Sequence, residues 1–255
     1  MTSLQRILIC IGLLFAVSLA PVPLAAQVNI EARRTGAAQH TWSHQVGLNG
    51  GLRAGSVDRR DVGIDLHSTY DSPSRHWLAV LDAEIGWQNG ARYSNQGLVH
   101  MRFGQAVSER LGVEVFMQLD HARQRRLLRR SLIGGGIRWQ WVQDLFVGSG
   151  LMVEAEKHDL PRLARHAART RHTRSTNYLS GRVGVGKGEL VFTTYVQPRF
   201  TRITDVRTLL DARLAAPLSD RASLSVNLRL RHDSKPVDGV EELDLKLSVG
   251  ASFTL

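Results

Sequence analysis

The sequence predicts an all-β fold, a transmembrane antiparallel up-and-down β-barrel of about twelve strands. Three observations carry that expectation. The last segment alternates almost without error: Leu243, Leu245, Leu247, Val249, Ala251, Phe253 and Leu255 fall on one face, and Asp244, Lys246, Ser248, Gly250, Ser252 and Thr254 on the other. A period of two marks a strand with one apolar and one polar side, and this one matches the roughly 9–11 residues needed to cross a bilayer at a tilt. The same pattern recurs up the chain. Finally, the N-terminus reads as an export signal.

Residues 1–26 have the parts of a secretory signal peptide. Arg6 gives a positive start, Ile7 to Ala20 an apolar core, and the small residues up to Ala26 a cleavage region. The single cysteine, Cys10, lies inside the apolar core, so cleavage after Ala26 leaves a mature chain without disulfides. Beyond the signal no apolar run approaches the length of a membrane helix, which argues against a helical membrane protein. A slightly negative mean hydropathy of -0.16 is compatible with a barrel, because only alternate residues would meet lipid.

Residues 27–42 read as a short periplasmic leader and 43–255 as the barrel. The expected strands are 44–54, 60–70, 76–88, 92–104, 110–122, 128–141, 144–157, 174–186, 189–201, 203–216, 221–233 and 240–255. An even count brings both termini to one side, with short periplasmic turns and longer outer loops. The turns at 71–75, 105–109, 142–143, 187–188 and 217–220 then fall on the periplasmic side, and Asp71-Ser-Pro-Ser and Pro217-Leu-Ser-Asp carry ordinary turn chemistry. The long connection 158–173, the arginine-rich 123–127 and the stretch 234–239 fall outside. Trp77 and Trp87 cap the two ends of one strand, where aromatic girdles belong.

The candidate chemistry lies in charges on the inward faces: Asp65, Asp82, Glu84, Arg102, Glu114, Arg138, Glu154, Arg182, Arg199, Arg213, Arg229, Arg231, Asp244 and Lys246. A charge facing lipid at mid-bilayer costs roughly 2–4 kcal/mol, so these residues are expected in the lumen. There they form either a packed polar interior or the lining of a narrow selective pore. Twelve strands lie between the small barrels that side chains fill and the large ones that hold a channel.

The formal charge of +10 is concentrated in the outer loops. Arg123, Arg125, Arg126 and Arg129 form one basic cluster, and Arg162, Arg165, Arg169 and Arg171 another. Outer-membrane lipid and lipopolysaccharide are the expected partners, through arginine–phosphate contacts; an exported chain with no nucleic-acid recognition motif gives no reason to expect nucleic acid. The histidines of the long loop match no metal-ligand spacing, and neither a metal nor a cofactor is expected. No nucleophile motif is present: His67 and Ser68 are adjacent on a strand and point to opposite sides. The expectation is therefore no enzyme. A lipid acylhydrolase or deacylase and a basic-loop surface adhesin are the alternatives.

The segment Arg130 to Arg138 (RSLIGGGIR), followed by Val147 to Glu156 (VGSGLMVEAE), resembles the YdiY-like, salt-induced outer-membrane protein family. His100 to Phe103 and Glu114 to Gln118 resemble its pattern too, and the likeness extends over about Gln45 to Leu255. The resemblance implies an outer-membrane barrel with an envelope or stress-related structural role or a narrow passive channel, and it supplies no catalytic residues. Barrels of this kind are recognised by the assembly machinery through a C-terminal strand that usually ends in an aromatic residue. Here Leu255 is last and Phe253 precedes it on the same face.

Overall fold

A computed structural model describes residues 41–55, 58–219 and 222–253. The expected signal peptide and most of the leader lie outside the described residues. Twelve strands form one sheet in strict sequence order, each antiparallel to the next. They are β1 (Thr41–Arg53), β2 (Arg59–Asp71), β3 (Arg75–Gln88), β4 (Ala91–Ala106), β5 (Leu111–Ala122) and β6 (Leu127–Val142). The second half is β7 (Leu145–His158), β8 (Arg169–Val185), β9 (Gly188–Arg199), β10 (Arg202–Ser219), β11 (Ala222–Asp233) and β12 (Leu243–Phe253).

Most boundaries agree with the expected ones within about three residues. The largest difference is at β8, which begins at Arg169 rather than Arg174 because Lys157 to Glu154 on β7 pair with Arg169 to His172. Charged side chains there hide a strand end, since main-chain pairing does not require apolar residues. β1 begins at Thr41, inside the expected leader, and β12 begins at Leu243 rather than Val240. The tight turns also slide by a residue. Asp144 and Gly186 take positive φ of 59° and 63°, which centres the hairpins on 143–144 and 186–187. Asn89 and Gly90 (φ 49° and 78°) close β3 onto β4 in the mirror-image turn that strand twist favours.

The two long connections, 159–168 and 234–242, sit at the same end of the sheet, as do 54–58 and 123–126. The opposite end carries the connections 72–74, 107–110, 143–144 and 186–187. The long-loop end is fastened down. His166 donates its backbone N–H to Asp238 Oδ2 at 3.0 Å, Ser234 Oγ donates to the Thr204 carbonyl at 3.0 Å, and the Asp159 N–H donates to the Arg126 carbonyl at 2.8 Å.

Alternation decides which side of the sheet each residue takes. Val62, Ile64 and Leu66 on β2, Val113, Val115, Met117 and Leu119 on β5, and Ile133 and Ile137 on β6 are all exposed, on the outside. Four of the five tryptophans, Trp42, Trp77, Trp139 and Trp141, lie exposed toward the tight-turn end. Trp77 packs at a tilt against Phe103 with ring centres 4.5 Å apart, and Trp42 likewise against Tyr70 at 5.3 Å. That is an aromatic belt at one membrane interface.

The inside is polar and crossed by side chains. Tyr178 on β8 donates to Glu114 on β5 at 3.0 Å, and Arg102 on β4 reaches Tyr195 on β9 at 3.5 Å. These strands are not neighbours in the sheet, so the bonds bridge the bore and establish that the sheet curls into a barrel-like body. One glycine is needed for the bridge: a Cβ on Gly148 of β7 would lie 2.0 Å from the Tyr178 ring, which uses that space to reach Glu114.

A charge placed on the outside tests this assignment of faces. Met117→Arg is expected to cost about 2–4 kcal/mol of folding free energy in a bilayer. Urea titration of the refolded chain in vesicles measures it.

Candidate functional site

The inward charges separate into two sectors. In the first, from β4 to β11, they are buried in a continuous ion network near the long-loop end. Arg174 is 1% exposed. Its guanidinium bonds Glu154 and, at 2.8 Å, Asp205, while Nη1 donates to the Gln197 and Asp205 carbonyls at 3.2 and 3.1 Å. Arg207 donates Nη1 and Nη2 to the two oxygens of Glu156 at 2.8 and 3.1 Å, Nη1 also to Glu154 at 2.9 Å, and Nε to Asp233 at 2.9 Å. Arg130 donates Nε to Asp120 at 2.8 Å. Below this layer, Glu114 accepts from Arg102 at 3.2 Å as well as from Tyr178.

Charges taken from water need such partners, since a desolvated ion without them costs several kcal/mol. Each carboxylate in this layer accepts from more than one donor, so the network ties β5, β6, β7, β8, β10 and β11 together.

The second sector, β2, β3, β11 and β12, is looser and its side chains are half-buried. Here like charges stand directly opposite one another. Asp65 pairs in register with Asp82, and Arg229 with Lys246. Like charges directly opposite are ordinarily destabilising. The acidic pair and Glu84 are on β2 and β3, the basic pair on β11 and β12, and Lys246 lies within electrostatic range of Glu84 and Arg59. Acidic pairs and basic pairs therefore occupy different strands of this sector, with Asp211 on β10 and Asp244 on β12 beside the basic pair. Gly47 on β1 leaves room for the Asp65 carboxylate, which a Cβ there would meet at 2.3 Å.

Of the sequence-selected bore charges, Arg102, Glu114, Glu154 and Arg231 are buried inside. Asp65, Asp82, Glu84, Arg229, Asp244 and Lys246 line the looser sector, Arg229 bonding Asp211 at 3.1 Å and Arg231 approaching Asp244 at 3.8 Å. Arg199 is held 3.6 Å from Asp205. Arg138 lies over the Phe146 ring at 3.6 Å, at the tight-turn mouth. Arg213 is exposed at that end, and so is Arg182, which pairs with Glu189 at 3.4 Å on the rim instead of lining the bore.

The basic loop set divides further. Arg123, Arg126, Arg162 and Arg165 are exposed loop residues, as expected. Arg125 is not: it turns inward to 3.6 Å from Asp120. Arg129, Arg169 and Arg171 belong to strands. Arg129 is in register with Lys157, and Lys157 with Arg169, which makes an exposed row of three cations across β6, β7 and β8. Alternation alone did not align them, because a register shift between Leu127 and Arg129 intervenes.

Sequence reasoning also missed a pairing on the outside. Ser68 Oγ and His44 Nδ1 are 2.9 Å apart across β1 and β2, and the His44 ring stacks on Trp42. The two residues are symmetric about the middle of connection 54–58, which was the available signal.

At the long-loop mouth a cavity of about 360 Å³ opens beneath connection 234–242, bounded by Arg125, Arg130, Arg207 and Arg231 and by Glu156, Asp233 and Asp244. Among the described residues no group of acidic, histidine or cysteine side chains forms a metal cluster.

Strand order, outward apolar stripe, aromatic belt and charged interior define a porin-like β-barrel. Residues 45–254 match the model of a protein family of unknown function, DUF481, the family that includes the YdiY-like proteins, and the chain belongs to it. No curated protein matches the chain. Among solved structures, the NanC porin in a rhombohedral crystal form aligns with a TM-score of 0.51 at 13% identity, covering 83% of this chain and 100% of that one. The β-domain of the Bordetella autotransporter BrkA aligns at a TM-score of 0.29 and 11% identity over 84% of this chain and 98% of that one. The first likeness supports the barrel fold.

Removing the central cation should expose what the network supplies. Arg174→Met strands Glu154 and Asp205 in the interior and is expected to destabilise the barrel by about 3–5 kcal/mol. Arg174→Met combined with Glu154→Gln should recover part of that loss. Denaturant midpoints of the two variants test both statements.

Proposed function

We propose that the protein is a narrow passive channel of the bacterial outer membrane, exported with its signal removed, whose lumen runs off-axis between β2–β3 and β11–β12. The observation that carries this reading is the two like-charge pairs that stand in register, Asp65–Asp82 and Arg229–Lys246. A barrel that needed only a packed interior would gain by alternating these signs, as the buried sector does. Walls of opposite sign in a half-solvated bore instead set up a field across the path of a permeating ion or dipole.

Single-channel conductance of the refolded mature chain tests the proposal. Small discrete steps are expected, and Asp82→Lys or Lys246→Glu should change the ratio of cation to anion permeability. A folded barrel with no conductance would overturn the channel and leave a purely structural role in the envelope.

The same reading sets the row Arg129, Lys157 and Arg169 at the level of the outer-leaflet headgroups. Three cations in register repel each other, and lipopolysaccharide phosphates would relieve that repulsion through charge-assisted hydrogen bonds. Lipopolysaccharide should raise the melting temperature of the wild type more than that of a triple glutamine variant; equal shifts would count against the contact.

One observation favours a second reading, a lipid acylhydrolase: the Ser68–His44 contact faces outward beside the aromatic belt, at ester depth. The channel reading expects Ser68 to be inert toward a fluorophosphonate probe in detergent micelles. Labelling that Ser68→Ala abolishes would favour the enzyme.

A further inference from the structure

The outer face at mid-height is apolar on several strands. Val115 and Met117 on β5, Ile133 and Ile137 on β6, and Leu247 and Val249 on β12 are all exposed there. On β7, β8 and β9 the same height carries Ser149, Ser175, Asn177 and Thr194 instead. Alternation puts these four outside, because Glu154, Arg174, Thr176, Tyr178, Thr193 and Tyr195 are the buried, inward residues of the same strands.

Register brings the four together. Ser149 stands opposite Asn177, and Asn177 opposite Val196, the next outward residue of β9 after Thr194. Ser149 Oγ donates to Asn177 Oδ1 at 2.9 Å. The Asn177 amide nitrogen donates to Ser175 Oγ at 2.9 Å and to the Val196 carbonyl at 3.3 Å. Thr173 on β8 and Thr208 on β10, opposite Val196, add hydroxyls on the same side. A connected polar patch thus lies on a surface that hydrocarbon would otherwise cover.

The ladder is also interrupted beside the patch. Register between β8 and β9 passes from Arg174–Arg199 to Asn177–Val196, and Pro198 in that gap has no N–H to offer. Lipid tails supply no hydrogen-bond partner for a polar group at this depth. The bonds within the chain use the donors of Ser149 and Asn177, but the second lone pair of the amide oxygen and the spare capacity of the hydroxyls are not met by lipid. A protein surface meets them.

We infer that the outer face of β7 to β9 is a two-fold contact between two copies of this chain in the membrane, centred on Asn177. Serine, threonine and asparagine each carry a donor and an acceptor, so the patch complements itself, as an isologous contact requires. Both copies insert with one orientation, and a two-fold axis along the membrane normal then sets patch against patch at the same depth. An unrelated barrel would have to match both the chemistry and the height. The inference needs the bilayer-spanning barrel and not the channel: a folded chain without conductance leaves it standing, whereas a conducting monomer removes it and leaves the channel.

Disulfide crosslinking in lipid vesicles tests it. Cys10 is the single cysteine of the sequence, so a mature chain starting at Gln27 carries none and single-cysteine variants report directly. Ser175→Cys or Thr194→Cys is expected to give a covalent dimer on oxidation, and Met117→Cys on β5 and Leu247→Cys on β12 are expected to stay monomeric. Adding Asn177→Leu to the Thr194→Cys chain should abolish the dimer. Because Asn177 also holds the Val196 carbonyl, Ser149→Ala is the companion change, expected to fold and to shift the equilibrium toward monomer. Altered migration of unboiled samples on a gel verifies folding in each case.

Arg129, Lys157 and Arg169 stand at the long-loop end of the same face, so two copies bring two cation rows together. Screening by salt should therefore raise the crosslinked fraction. A fall with salt, or crosslinking from β5 or β12 as readily as from the patch, would place the contact elsewhere and overturn the inference. Dimers unchanged by both Asn177→Leu and Ser149→Ala would overturn the role of the polar patch. No crosslink by the folded chain would overturn the second copy and leave lipid or a foreign barrel against this face.

Discussion

The arrangement depends on Arg174 and Arg207 being buried among Glu154, Glu156, Asp205 and Asp233. Main-chain pairing makes a sheet and fixes its register, but pairing between neighbours does not determine how tightly the sheet curls. Side-chain bonds between strands that are not neighbours do. Arg207 joins β10 to β7 and to β11, and Arg174 joins β8 to β7 and to β10. The lower bridge from Tyr178 to Glu114 repeats the principle at another depth. Desolvation makes these ions costly in isolation and therefore strongly selective for the geometry in which all are satisfied.

That selectivity accounts for the division of the bore. Where carboxylates and guanidinium groups alternate in space, the interior closes upon them. Where like charges also face in register, as at Asp65–Asp82 and Arg229–Lys246, the side chains remain half-buried. The same residue types produce a filled sector on one side and a looser one on the other, according to which partner the register places opposite. The loop-end cavity belongs to the filled sector, and arginines and carboxylates line it together.

Much of the fold was legible in the sequence because a transmembrane strand writes its two faces at period two. The Val113 to Leu119 stripe and the final run from Leu243 are plain instances, and the strand order followed from antiparallel hairpins. Whether a residue faces the bore was equally legible for Glu114 and Glu154. What the bore charges touch was not, because partners such as Glu154 and Arg207 are far apart in the chain and their meeting depends on curvature. The inward turn of Arg125, the strand placement of Arg169 and Arg171, and the rim position of Arg182 were missed for a related reason. Alternation identifies a face, but it does not locate the end of a strand or the height at which a charge stands.

The cross-bore bonds described above begin and end between β4 and β11. The body is thus braced on one side like a trussed arch, while β1 to β3 and β12, at the two ends of the strand order, take part in none of those cross-bore bonds. A change in lateral pressure or bilayer thickness would be absorbed first by these end strands. The curvature of the sheet would then respond to the mechanical state of the membrane, with the braced wall as its fixed reference.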